Sequence, residues 1–321
     1  MCEWDDSGMS FSAPLITHWD PCGPFDLART LGVLQRGAND PTVRVSTGEA
    51  WLCFQYDGAA TAVRVRHLSA GAPVEFAVWS SAAEAVADSL PRLVGAHDDW
   101  AAFDDPAFVD TLPRLVTEAR GRHPGIRFPA TGRVFDALVP AILEQKVTGM
   151  EARYAWAYLV NRFGTPAPGP VPRGMKIAPT AAGWRRVPTW EWHKARVDYK
   201  RRDAILRCAH LGSGLGRLSD NPDAHEVEEK MRTVPGVGAW TAAEVLQRTH
   251  GSPDHISVGD FHLAHFVGQA LTGRRTDDAG MLELLEPWTG HRQRVVRMLG
   301  LSGAKNPSYG PRLHPMDHRA R

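Results

Sequence analysis

Cysteine is scarce and badly placed for framework chemistry. Four residues, Cys2, Cys22, Cys53 and Cys208, are scattered through 321 positions and form no CxxC pair. That excludes a disulfide scaffold, a zinc ribbon and an iron–sulfur cluster built on local spacing. Two further signals are missing. No 18-residue apolar run is present, and the acidic opening MCEWDDSGMSFS has no secretory core, so a membrane span is not expected and a reduced cytoplasmic setting is. Charge of one sign is absent as well. Thirty-seven Lys/Arg against 36 Asp/Glu leave a net charge of +1, which rules out a globally basic polymer binder. Any nucleic-acid contact must then come from local patches. No internal repeat breaks the chain into modules.

What is present is concentrated between Val234 and Leu263: VPGVGAWTAAEVLQRTHGSPDHISVGDFHL. Pro235 and Gly236 stop the helical segment AHEVEEKMRTV, because proline cannot continue a helix and glycine accepts positive φ. Gly238 precedes AWTAAEVLQRTH, a run of good helix formers. The turn Pro235-Gly236-Val237-Gly238 therefore opens a helix with bare backbone amides. Such amides suit a phosphate, although P-G-x-G also occurs as a plain turn between packed helices. Gly251, Ser252 and Pro253 end that helix. Asp260 then stands before FHLAHFVGQAL. A carboxylate there is favoured by the helix N-terminus and doubles as an N-cap.

Along the chain, residues 1–10 read as frayed. From 11 to 105, PTVRVS, EAWLCFQYD, TAVRVRHL and PVEFAVWS alternate apolar and polar residues as half-buried strands do. FDLARTLGVLQRG and AAEAVADSLPRLVG carry a helical period. The expectation is a small antiparallel sheet with two helices, an α+β unit. From 106 to 303 the pattern is helical, with a break near Thr148-Gly149. TPAPGPVPRGMKIAPT is proline-rich and reads as a surface loop. Residues 304–321 lack apolar period and read as disordered. Two basic stretches stand out. Arg185 to Arg207 holds eight Lys/Arg against three acids, and His291 to Arg321 holds seven against one. Either one serves a phosphate backbone or is a solvated helix face.

VPGVGAWTA and ISVGDFHL together resemble the helix-hairpin-helix DNA glycosylases, most closely the DNA-3-methyladenine glycosylase II class. The resemblance covers roughly residues 11 to 303. It implies a two-lobed helical bundle carrying a helix-hairpin-helix motif behind the α+β domain. It further implies that Asp260 is catalytic, and that Pro235, Gly236, Val237 and Gly238 clamp DNA. ALVPAILEQKVTG matches a second family segment, which carries Gln145 and Lys146 over as DNA contacts. Lys146 departs from the apolar wedge found there, and a neighbour such as Val147 or Met150 is the alternative. Lyase-active relatives carry lysine where this chain has Trp240. The resemblance thus implies a monofunctional enzyme that hydrolyses the bond to an alkylated purine and leaves an abasic site. Trp240 would stack on the base, where an indole suits a cationic ring.

Phe261 and Glu244 are further candidates for the base pocket. Phe261 is equally suited to the core, and Glu244 to an exposed helix face. A second pocket tryptophan of the relatives would fall on Gly300. No cofactor and no catalytic metal are implied, though a monovalent cation at the hairpin backbone is. Double-stranded DNA bearing damaged bases is the expected partner, and a monomer the expected state. Two alternatives remain open at this point. One is a lyase using Lys146 or Lys194 on oxidised bases. The other is a non-catalytic DNA-binding module in which Asp260 only caps its helix.

Overall fold

A computed structural model describes residues 13–305. The expectations for 1–10, and those for the tail beyond 305, lie outside them. The chain opens with five strands: β1 (Leu15–Trp19), β2 (Val43–Ser46), β3 (Glu49–Tyr56), β4 (Ala59–Arg66) and β5 (Val74–Trp79). They form one antiparallel sheet in the order β1-β5-β4-β3-β2. β1, LITHW, was not among the expected strands. The helices α1 (Leu27–Leu31) and α2 (Ala83–Leu93) cover one face of the sheet.

The strands are less amphipathic than their alternation suggests. In β3, Ala50, Leu52 and Phe54 point to the core under α1 and α2, while Trp51 and Cys53 are buried on the opposite face. What covers that second face is the proline-rich segment. It contains two short paired strands, β6 (Thr165–Pro166) and β7 (Lys176–Ile177), rather than loop alone. Met175 and Ile177 pack against Trp51 and Trp79, whose rings stack with centroids 5.4 Å apart. Gly169 lies flat on Trp79: a Cβ there would come within 2.4 Å of the ring. The loop thus fastens the sheet to the helical part, where burial of aromatic area stabilises it strongly.

The remainder is helical, as the period demanded. Its helices are α3 (Pro106–Val109), α4 (Arg114–Arg122), α5 (Val134–Leu143), α6 (Gly149–Phe163), α7 (Ala181–Arg185), α8 (Thr189–Lys194), α9 (Tyr199–His210), α10 (Gly212–Arg217) and α11 (Ala224–Arg232). After the hairpin follow α12 (Ala239–Thr249), α13 (Leu263–Thr272), α14 (Asp278–Leu285) and α15 (Arg292–Leu301). Two cores result. One is built from residues 134–246 around α5, whose Val134, Leu138, Ile142 and Leu143 are fully buried. The other joins residues 100–128 to 256–301. The segment from the hairpin to Asp260 runs from the first core into the second, and so lies where the two lobes meet.

The expected break near Thr148 is a helix start. The Thr148 hydroxyl accepts from the Glu151 amide and the Glu151 carboxylate accepts from the Thr148 amide, a reciprocal cap. Lys146, in the turn before it, adopts a left-handed φ of 55° and is exposed. Among the described residues, no helix is long and apolar enough to cross a membrane.

Candidate active site

The hairpin is held from inside by Val237, which is 5% exposed and packs in the first core. Its amide donates to the Val234 carbonyl at 2.9 Å, closing the turn. Gly236 sits at φ +98°, and a Cβ there would lie 2.6 Å from that of Ala204 on α9. Only glycine meets both demands. Pro235, Gly236 and Gly238 are exposed. Gly238 is the N-cap of α12 and brings no side-chain cap, so the first amides of that helix face outward unmasked.

Gln145 is placed behind the hairpin. Its side-chain amide donates to the Gly236 carbonyl at 2.9 Å and to the Thr241 hydroxyl at 2.8 Å. It therefore positions the turn. The carbonyls of Val234, Pro235 and Gly236 already accept from the Val237 amide, Arg207 and Gln145 respectively. A monovalent cation there would have to use their remaining lone pairs.

Trp240 and Asp260 come together. The indole N–H donates to Asp260 Oδ2 at 3.3 Å. Asp260 Oδ1 accepts from the amides of His262 and Leu263, both at 2.9 Å, at the start of α13. The helix-cap reading of this residue is realised on Oδ1, which leaves Oδ2 outside the cap. Oδ1 caps a helix, Oδ2 accepts from the indole, and the residue lines a cleft of about 370 Å³. Glu244, Gln247, Ser257, Asp260, His262, Leu263, Phe266, Gln293 and Val296 line that cleft, and Trp240 adjoins it through Asp260.

Glu244 is no ordinary exposed helix charge. Its side chain is 14% exposed. It accepts from Ser257 Oγ at 2.6 Å and pairs with Arg248 at 2.8 Å. Burial pushes its pKa up, but Arg248, the Ser257 hydroxyl and Arg36 together bring it below the usual carboxylate range. The cleft therefore holds two carboxyl side chains, and Glu244 is paired with Arg248. Phe261 does not join them. It is 70% exposed, packing edge-on against His262 and contributing neither to the cleft nor to the core. Gly300 is exposed on α15, whose contributions to the wall are Gln293 and Val296.

Sequence reading missed Gln247, Ser257, Gln293 and Phe266. Gln247 was within reach: Trp240, Glu244 and Gln247 stand at i, i+4 and i+7, one face of α12. Gln293 had no local signal.

The basic stretches are partly structural. Arg201, 3% exposed, donates to the Leu143 carbonyl at 2.8 Å and pairs with Asp198 at 2.7 Å. Arg294 and Arg292 are tied to Asp98 and Asp254. These charges stabilise the lobes and are not free for phosphate. A second cavity, lined by Arg36, Phe54, Arg133 and Arg248 among others, lies between the sheet and α5 and contains neither Asp260 nor Trp240.

No protein-family model matches the sequence, and no curated protein matches it. Solved structures do. A 3-methyladenine DNA glycosylase from Archaeoglobus fulgidus superposes with a TM-score of 0.72 at 18% identity, covering 90% of this chain and 98% of its own. The 8-oxoguanine glycosylase/lyase of Clostridium acetobutylicum, in its apo form, gives 0.66 at 11% identity, covering 92% and 100%. The same Clostridium protein bound to double-stranded DNA gives 0.65 at 11%, covering 93% and 96%. At these identities the likeness is one of architecture, and the chain has the fold of the helix-hairpin-helix DNA glycosylases.

Proposed function

We propose that this protein is a monofunctional DNA glycosylase that excises alkylated purines from double-stranded DNA. The observation that carries the reading is the Asp260 carboxylate, with one oxygen fixed by helix amides and the other beside an indole, on a residue that lines a cleft.

Excision requires access to C1′ of a nucleotide, so the nucleotide must leave the stack. The hairpin amides and the unmasked start of α12 are suited to hold the backbone phosphates while it does. As the C1′–N bond breaks, the base leaves with the bonding electrons and the sugar becomes cationic. Asp260 Oδ2 stabilises that charge as it develops. Water then adds to C1′ and passes its proton to the Asp260 carboxylate, which returns it to solvent, and an abasic site remains. An alkylated purine is already cationic, so it departs neutral without an acid to protonate it. Trp240 suits such a cation by its π face, and the carboxylate of Glu244 lies one helical turn away.

A lyase would need an amine at C1′. Position 240 has none, and neither Lys146 nor Lys194 lines the cleft. The similar structures span both chemistries, a 3-methyladenine glycosylase and an 8-oxoguanine glycosylase/lyase. The test is therefore twofold. On methylated DNA the protein should release free methylpurines. On 8-oxoguanine DNA with borohydride it should form no covalent adduct. A trapped adduct contradicts the monofunctional reading, and absence of base release from alkylated DNA contradicts the substrate class.

A further inference from the structure

Outside the cleft lining, α11 meets the loop leading to Asp260 at a cluster that the excision chemistry does not use. His225 and Glu228 stand three apart on α11, so they share a face. His255 comes from the loop after α12. One ligand-capable atom from each of the three lies within 4.8 Å of the others. His255 is 8% exposed. Its Nδ1 is 2.6 Å from Ser252 Oγ, which fixes the ring. Its Nε2 is buried without a hydrogen bond, although Glu228 Oε2 is only 3.3 Å away. A buried imidazole nitrogen left this way is costly and calls for a partner.

We propose that His225, Glu228 and His255 bind a divalent transition metal of the zinc class. Two imidazoles and a carboxylate suit zinc, whereas magnesium and calcium prefer oxygen throughout. With metal–ligand bonds of about 2.0–2.2 Å, tetrahedral ligand atoms stand roughly 3.3–3.5 Å apart. His255 Nε2 and Glu228 Oε2 already meet that spacing at 3.3 Å. His225 is exposed, and its ligand-capable nitrogen stands within 4.8 Å of the other two ligand atoms. Water completes the set from the solvent side. The outer shell is in place as well: Ser252 orients His255 through Nδ1, and Arg232 holds Glu228 Oε1 at 3.1 Å.

The metal would staple two segments that the chain joins only through α12. α11 leads directly into the hairpin, and His255 precedes Asp260 by five residues. A bound ion would therefore fix the carboxylate loop relative to the DNA clamp.

The test uses the full chain stripped of metal and titrated with zinc, then with cobalt(II). One ion per chain should bind. Cobalt should give the visible bands of a four-coordinate site, the Tm should rise by several degrees, and amide exchange across 252–262 should slow. His255→Ala removes a buried ring and is a poor test of binding alone. His225→Ala and Glu228→Gln, on the accessible side of α11, should fold without metal and lose both the cobalt bands and the Tm rise. His193→Ala, an exposed histidine elsewhere, should keep both. Absence of cobalt bands in the wild type, or an equal response in His225→Ala, overturns the proposal.

Discussion

Trp240 and Asp260, twenty residues apart in the chain, meet through an indole N–H donating to a carboxylate oxygen at 3.3 Å. The contact ties the first turn of α12 to the start of α13, and with it the hairpin to the acid. Trp240→Phe keeps the ring and removes the donor. A hydrogen bond to a charged acceptor contributes about 1.5–3 kcal/mol, so excision should fall roughly 10- to 100-fold if the indole orients Oδ2. Single-turnover base release measures this, and an unchanged rate would leave the indole with stacking alone.

Gly236→Ala combines a left-handed φ of +98° with a close approach to the Ala204 methyl at 2.6 Å. A stability loss of about 2 kcal/mol is expected, with weakened DNA binding. Gly238→Ala, with an ordinary φ of −99° and open space around it, should fold nearly as the wild type does. Urea denaturation of the two variants makes the comparison.

Glu244 makes stability depend on pH. Its folded pKa is depressed, so its contribution is present above the ordinary value of 4.5 and is lost as pH falls through the folded value. Glu244→Gln leaves Arg248 without its anion, while Arg36 keeps Glu144, and should cost about 3 kcal/mol near neutrality. The gap between wild type and variant should shrink as pH drops below 4.5, the reference carboxyl value. Urea midpoints across that range read it directly.

The parts of the site that were legible in the sequence are those whose signal is local. Proline and glycine at 235–238 dictate a turn whatever surrounds it. Asp260 before an amphipathic run marks a helix start, and the family resemblance supplied the catalytic expectation. Contacts between distant segments carried no such mark. Nothing in the local pattern of Gln145 says that it supports Gly236 from behind, and nothing in that of Glu244 says that Ser257 closes over it. The proline-rich stretch reads as a loop because its backbone is loop-like. Its task, covering Trp51 and Trp79, is written in the sheet it packs on. Phe261 misled for the complementary reason: aromatic character suggests burial, but its place in the turn before α13 leaves it 70% exposed.

The most direct measurement is single-turnover release of methylpurines from alkylated DNA by wild type and Asp260→Asn, with affinity for abasic-site DNA measured in parallel. Asparagine keeps the cap on α13 and removes the charge. Release should fall by about 10²- to 10³-fold while binding stays within a few-fold. Equal release by the two proteins would mean that Asp260 is a helix cap alone and that the bond is broken elsewhere.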